Sequence, residues 1–150
     1  MTGFDHTLPM LLHRTLDSVM PAFRDLFAKY NLTDQQWRVL RILWEDEKVT
    51  SAELSARSLI PAPSLVGIID RLERRKLVAR MRSLEDRRIV YVVATEEGRN
   101  LGGEVMPYVE DINHRISACL SPAEWQAMEQ ALSKIVSGVA DTEQKEKKIA

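Results

Sequence analysis

A single cysteine, Cys119, stands in 150 residues, which rules out an intramolecular disulfide framework and fits a reducing cytoplasm. No apolar run reaches about 18 residues and no charged-then-apolar leader is visible, so neither a membrane span nor secretion is expected. The sequence has no Gly-rich phosphate loop, no nucleophile motif and no metal set, so an enzyme has little support and no cofactor is expected. His6, His13, His114 and Cys119 are the histidine and cysteine donors, and none has a neighbour at a zinc spacing. Cys119 is expected to pack as a small hydrophobe. Charge of one sign is missing too. With 21 Lys+Arg against 22 Asp+Glu the net is −1, whereas nucleic-acid binders often have a high pI.

What is present is helical periodicity with clear start signals. The length suits one domain, or two small lobes sharing a core. Leu8, Leu12, Leu16, Val19, Phe23, Leu26 and Tyr30 recur every three to four residues and predict an amphipathic helix over 8–30. Pro21 removes a hydrogen bond inside it, so a kink or break is expected there. Capping boxes at Thr33/Gln36, Thr50/Glu53 and Ser121/Glu124 predict helices at about 33–46, 51–58 and 122–140. Pro63 favours a further helix opening near 62–64 and running to about Lys76.

Segments 77–83 and 88–94 are rich in β-branched residues and flank the polar stretch 84–87, which predicts a hairpin. Thr95-Glu96-Glu97 starts a long helix with Leu101, Val105, Tyr108, Ile112 and Ile116 on one face, ending near Ser117. Asp141 to Lys148 reads as a frayed helix end or disorder. The expected fold is mostly α with a small β-wing, six helices and one hairpin in a single domain over 1–150. A winged helix-turn-helix reader lobe spans 33–95, a helical dimerisation lobe is formed by 6–30 and 96–141, and 142–150 is a tail.

The helix from 62 to 76 has the profile of one that enters a DNA groove. Pro61, Ala62, Pro63, Ser64 and Gly67 are small or turn-forming, which lets the backbone approach bases. Ser64 can meet a base edge or a phosphate, and Arg71 a phosphate or guanine. Leu65, Ile68, Ile69 and Leu72 form the opposite, core-facing stripe. An ordinary core helix would also carry that stripe, but it would not need the small-residue start or the polar outer face.

Between Asp70 and Tyr91 stand eight Lys/Arg and four Asp/Glu, a local balance of +4 in a chain that is nearly neutral overall. At the hairpin tip, Asp86-Arg87-Arg88 suits an arrangement in which the acid holds one guanidinium while the other enters the minor groove. Which arginine does which stays open. Arg74, Arg75, Lys76, Arg80 and Arg82 flank the tip and are expected to position phosphates.

These residues resemble the MarR family of bacterial winged-helix repressors. The resemblance is carried by Leu32-Thr33 with Gln36-Trp37-Arg38-Val39-Leu40, Glu53-Leu54, Pro63-Ser64-Leu65, Ile69-Asp70-Arg71-Leu72-Glu73, Leu77-Val78 with Arg80, Asp86-Arg87-Arg88, and Thr95 with Gly98. Within the family, the run Asn31 to Arg38 and the Pro63-Ser64-Leu65 start look most like the branch that represses homoprotocatechuate and related aromatic-acid degradation. The resemblance implies a homodimer on pseudo-palindromic double-stranded DNA. It also implies an effector, a small aromatic acid or a CoA thioester, lodged between the lobes. It puts Ser64 and Arg71 at groove-facing positions of the recognition helix and Arg87 or Arg88 at the wing tip; with Pro63, Gly67, Arg74 and Arg82, read from the residues themselves, these are the expected DNA-contacting set.

Two departures bear on this. Val66 stands where a hydroxyl residue is common, so one polar base contact is expected to be either lost or replaced by contact with a thymine methyl group. Cys119 lies far from the N-terminal cysteine of peroxide-sensing relatives, so redox sensing is not indicated.

Effector candidates are His13 and Arg14 on the first helix and Trp37, Arg38 and Arg41 on the second. Arginines there would hold a carboxylate and the indole would stack on a ring. Equally, Trp37 belongs to the core and the arginines pair with acids such as Asp17 or Glu45. Leu16 replaces an arginine of the nearest branch, which weakens a carboxylate clamp. The functional alternative to a ligand-released repressor is a winged-helix protein-interaction or architectural module with no effector.

Overall fold

The computed structural model describes residues 3–149, with side chains described through Ala140. A 3-10 turn, Phe4–His6, precedes α1 (Leu8–Lys29), α2 (Asp34–Glu45), β1 (Val49–Thr50), α3 (Ser51–Ser58) and α4 (Ala62–Arg74). Then come β2 (Val78–Arg82), β3 (Val90–Ala94), α5 (Glu96–Ser117) and α6 (Pro122–Ile149). Two compact units are formed, Met1–Glu110 and Asp111–Ala150, and the division falls within α5.

All three capping boxes close. At α2, Gln36 N–H donates to Thr33 Oγ1 and Thr33 N–H to Gln36 Oε1, both at 3.1 Å. At α3, Thr50 N–H meets Glu53 Oε2 at 2.8 Å and Glu53 N–H meets Thr50 Oγ1 at 3.3 Å. Ser121 and Glu124 exchange the same pair of bonds at the start of α6. Each box satisfies amides that the helix itself leaves open, typically worth about 1 kcal/mol.

Helix ends are equally local. Asn31 (φ 53°) and Lys76 (φ 58°) take the left-handed conformation after α1 and α4. Leu32 N–H returns to Phe27 O and Leu77 N–H to Leu72 O, the six-residue closure of a Schellman motif. Leu72 and Leu77 are both buried, supplying the apolar contact that accompanies it.

Four departures from the sequence expectation have physical causes. Helix α1 runs through Pro21 without a break. One missing hydrogen bond is outweighed by packing of the same helix at Leu26 and Phe27, both buried. The hairpin gains a third strand: β1 pairs antiparallel with β3, Val49 opposite Val92 and Thr50 opposite Tyr91, in the order β1-β3-β2. Two residues are too short to leave a period-two signature. Helix α6 continues to Ile149 rather than ending near 140; of the expected tail 142–150, Ala150 lies outside the described residues. Cys119 is exposed, not packed, and its Sγ–H reaches only Arg115 O at 3.6 Å.

The core of the first unit gathers Val39 and Leu40 from α2, Leu54 from α3, Leu65, Ile69 and Leu72 from α4, and Val78 and Val92 from the sheet, all at most 2% exposed. Each fully buried Leu, Ile or Val stabilises by about 1.5–3 kcal/mol, so the apolar stripe of α4 is held firmly. Trp44 ties α2 to α5: its indole N–H donates to Gly98 O at 2.8 Å. The same helix packs closely on Leu77, the residue before β2, because Gly98 has no side chain; a Cβ there would stand 2.1 Å from Leu77 O.

Candidate nucleic-acid interface

Helix α4 is amphipathic, and its outward face is the one expected to be free. Leu65, Ile68, Ile69 and Leu72 are buried, while Pro63, Ser64, Val66, Arg71 and Arg74 are exposed and Gly67 is half-buried. The α3–α4 connection is short, Leu59 to Pro61, and turns at Leu59 in the left-handed region (φ 56°). Arg71 reaches back one turn, as long helical side chains do. Its Nη2 would lie 3.6 Å from a Cβ on Gly67, so the glycine keeps this stretch of the helix surface low beneath the guanidinium. Val66, 55% exposed, presents an apolar surface suited to a thymine methyl.

The wing tip is internally ordered. Ser83 Oγ accepts from the amides of Glu85 and Asp86 at 3.2 and 3.3 Å, and Ser83 N–H donates to Ile89 O at 2.9 Å. Asp86 then selects between the two arginines. Arg88 donates from Nε, Nη2 and its backbone amide to the Asp86 carboxylate at 3.1, 2.9 and 3.0 Å. Those bonds from Arg88 hold the Asp86 carboxyl below the usual aspartate range and raise Arg88 above its own. Arg87 has no partner among the described residues.

The basic residues divide into two sets that the sequence does not distinguish. Arg71, Lys76, Arg82 and Arg87 have no side-chain partner among the described residues, and Arg74 makes only a long contact, Nε to Asp70 O at 3.4 Å. Arg75 and Arg80, expected among the phosphate-positioning residues, are instead engaged within the protein. Arg75 donates to Asn31 O and Tyr30 O at 2.6 and 3.1 Å, at the negative end of α1. Arg80 bridges Asp70 and Glu73 on α4. A count of charges per stretch of sequence misses this, because the pairing depends on elements meeting in space.

The effector candidates are brought to different partners. His13 is exposed. Arg14 pairs with Asp5 at 2.7 Å and Arg41 with Glu45 at 2.7 Å. Arg38 donates to Ser58 O at 2.8 Å and meets Asp34 at 3.2 Å, while its Nε is buried without a partner among the described residues. Trp37 stacks on Phe27, ring centroids 4.7 Å apart, and meets Trp44 edge-on at 5.4 Å. Two turns along α2 from Trp37, a surface hollow of about 290 Å³ is lined by Trp44, Arg99, Gly102, Gly103 and Met106. These residues were not among the sequence candidates; paired glycines opposite a tryptophan were the available signal. Among the described residues no cluster of three or more His, Cys, Asp or Glu is placed to hold a metal. No described helix is long and apolar enough to cross a membrane.

Comparison with known proteins adds the decisive observation. Residues 32–90 match the model of the MarR family. The homoprotocatechuate degradative operon repressor of Escherichia coli is 32% identical over 131 residues, covering 87% of this chain and 88% of the relative. The chain belongs to the MarR family. Similar solved structures include BpsR of Bordetella bronchiseptica, from work on regulation of its DNA binding by 6-hydroxynicotinic acid. It has a TM-score of 0.81 at 29% identity and covers 91% of this chain and 97% of its own. NadR in complex with 4-hydroxyphenylacetate gives a TM-score of 0.78 at 29% identity, covering 90% and 96%. Such relatives are transcriptional regulators, not enzymes. The six helices and three-stranded sheet of this MarR protein are accordingly a winged helix-turn-helix fold.

Proposed function

We propose that this protein is a sequence-specific DNA-binding repressor. It acts as a homodimer on a pseudo-palindromic operator and is released by a small aromatic carboxylate or its CoA thioester. The observation that carries the reading is the sorting of basic groups. Guanidinium heads left without partners among the described residues, Arg71 on α4 and Arg82 and Arg87 on the wing, belong to the two elements a winged helix presents to DNA. Small Pro63, Ser64 and Gly67 open α4 for close approach, Arg74 adds a phosphate contact, and Arg88 braces the tip.

A single subunit leaves apolar surface uncovered. Leu8, Leu11, Leu12 and Leu16 are exposed on α1, and Ile135, Val136 and Val139 on α6. A second copy is the partner proposed for both faces. Two recognition helices would then meet successive major grooves about 34 Å apart. The effector reading draws on relatives named for homoprotocatechuate degradation or solved with 4-hydroxyphenylacetate and p-coumaroyl-CoA. His13, Arg14, Trp37, Arg38 and Arg41 are proposed to line its site. The ligand acts only through a difference in affinity between DNA-competent and released conformations. With chromosomal DNA as partner, the proposed location is the cytoplasm.

The test is fluorescence anisotropy with duplexes tiled across the promoter nearest the gene, together with light scattering for mass. Salt-dependent binding by a two-chain particle supports the reading. A monomer indifferent to every duplex overturns it. A thermal-shift screen of aromatic acids and their CoA thioesters identifies the effector, and the hit must release DNA.

A further inference from the structure

Arg80 lies on β2 opposite Val92, inside a stretch whose positive balance suggests phosphate contact. Its surroundings indicate another role. Its Nη2 donates to Asp70 Oδ1 at 2.6 Å, its Nη1 to Glu73 Oε2 at 2.5 Å, and its backbone amide to Glu73 Oε1 at 3.2 Å. Both carboxylates are on α4, three residues apart, at the margin between the buried stripe and the face that carries Arg71 and Arg74. The Arg80 side chain is 31% exposed, against 90% for Arg88. Partial burial disfavours its charge, yet the bonds to Asp70 and Glu73 outweigh that and raise its pKa. A planar guanidinium gripped at two points fixes orientation as well as distance, which a lysine ammonium does not.

We propose that Arg80 is a positioning residue for DNA recognition: with Asp70 and Glu73 it sets the angle and spacing between the recognition helix and the wing. This rests on the reading of α4 and the wing as the DNA-contacting elements. Major-groove and minor-groove readers must engage together, so an error in their relative placement weakens binding to the operator even with every DNA-facing side chain still present.

A clamp and simple electrostatics predict opposite outcomes. The double variant Asp70→Asn/Glu73→Gln removes two negative charges beside the DNA face and frees Arg80. If Arg80 served phosphate, or the acids only repelled DNA, affinity would rise and its salt dependence steepen. The clamp predicts operator affinity lower by roughly tenfold, with the salt slope kept and binding to a scrambled duplex not weakened. Arg80→Lys should fall between wild type and Arg80→Ala, since one ammonium cannot hold both carboxylates in a plane.

Anisotropy titrations against salt, on operator and scrambled duplexes, read all three variants, with thermal melts confirming that each is folded. Tighter operator binding by the Asn/Gln variant overturns the proposal. So does a flattened salt slope in Arg80→Ala matching that of Arg87→Ala, or unchanged operator affinity in folded variants. A wild-type protein that binds no duplex would instead remove the underlying DNA-binding reading, so the two failures are distinguishable.

Discussion

Asp86 grips Arg88 at two points of its guanidinium, Oδ1 to Nε at 3.1 Å and Oδ2 to Nη2 at 2.9 Å, and leaves the adjacent Arg87 unpaired among the described residues. The two arginines, alike in sequence, therefore differ in what they are free to contact. Arg87→Ala should weaken operator binding and flatten its salt dependence by about 0.9 in log–log slope for each phosphate no longer neutralised. Arg88→Ala should weaken binding by disordering the tip, with the slope little changed. Titrations over a salt series separate them, and equal drops in slope would mean that Asp86 does not discriminate.

The same pairing has a pH signature. Arg88 holds the Asp86 carboxyl below the usual aspartate range. A carboxyl with a depressed folded value stabilises at pH above its unfolded value and loses that contribution as pH falls through the folded one. Tip order should therefore be constant through neutral pH and fail only in acid below the ordinary aspartate range. Carboxyl-carbon NMR of Asp86 reads the midpoint, which Arg88→Ala should move upward; identical midpoints would refute the assignment.

Two glycines of α5 should respond with opposite sign. A Cβ at Gly98 would lie 2.1 Å from Leu77 O, a backbone atom that cannot swing aside, whereas nothing lies within 4 Å at Gly103. Gly98→Ala should destabilise by about 1–3 kcal/mol or more. Gly103→Ala should stabilise by about 0.5–1 kcal/mol, the ordinary helix preference for alanine. Urea melts of the two variants make the comparison.

Ser64 stands exposed at the start of α4 without a side-chain partner among the described residues. Ser64→Ala should alter the ranking of operator variants more than overall affinity. A uniform drop across variants would place the hydroxyl on the sugar-phosphate backbone.

Most of the helical framework was legible in the chain, and particular residues show why. Thr33 and Gln36, Thr50 and Glu53, and Ser121 and Glu124 complete their bonds within three residues, so nothing distant is needed to recognise them. The buried stripe of α4 follows from helical geometry in the same way. Pro21 does not break α1: the cost of one absent hydrogen bond is visible locally, while the packing that outweighs it is not. Strand β1 was hidden for the related reason that its two residues are defined by a partner more than forty positions away.

Residue order alone settled the helix starts and the hydrophobic face of α4, because each depends on neighbours three or four positions apart, and it marked the arginine-tipped wing by two β-branched runs flanking a short polar stretch. Tertiary structure decided which positive charges remain free for a partner. Arg75 is tied to the end of α1, Arg80 to α4, and Arg88 to Asp86, while Arg71, Arg82 and Arg87 are left over among the described residues. A guanidinium is committed by whichever carboxylate or carbonyl the fold brings within about 3 Å, and for Arg75 and Arg80 that distance exists only once separate elements have packed.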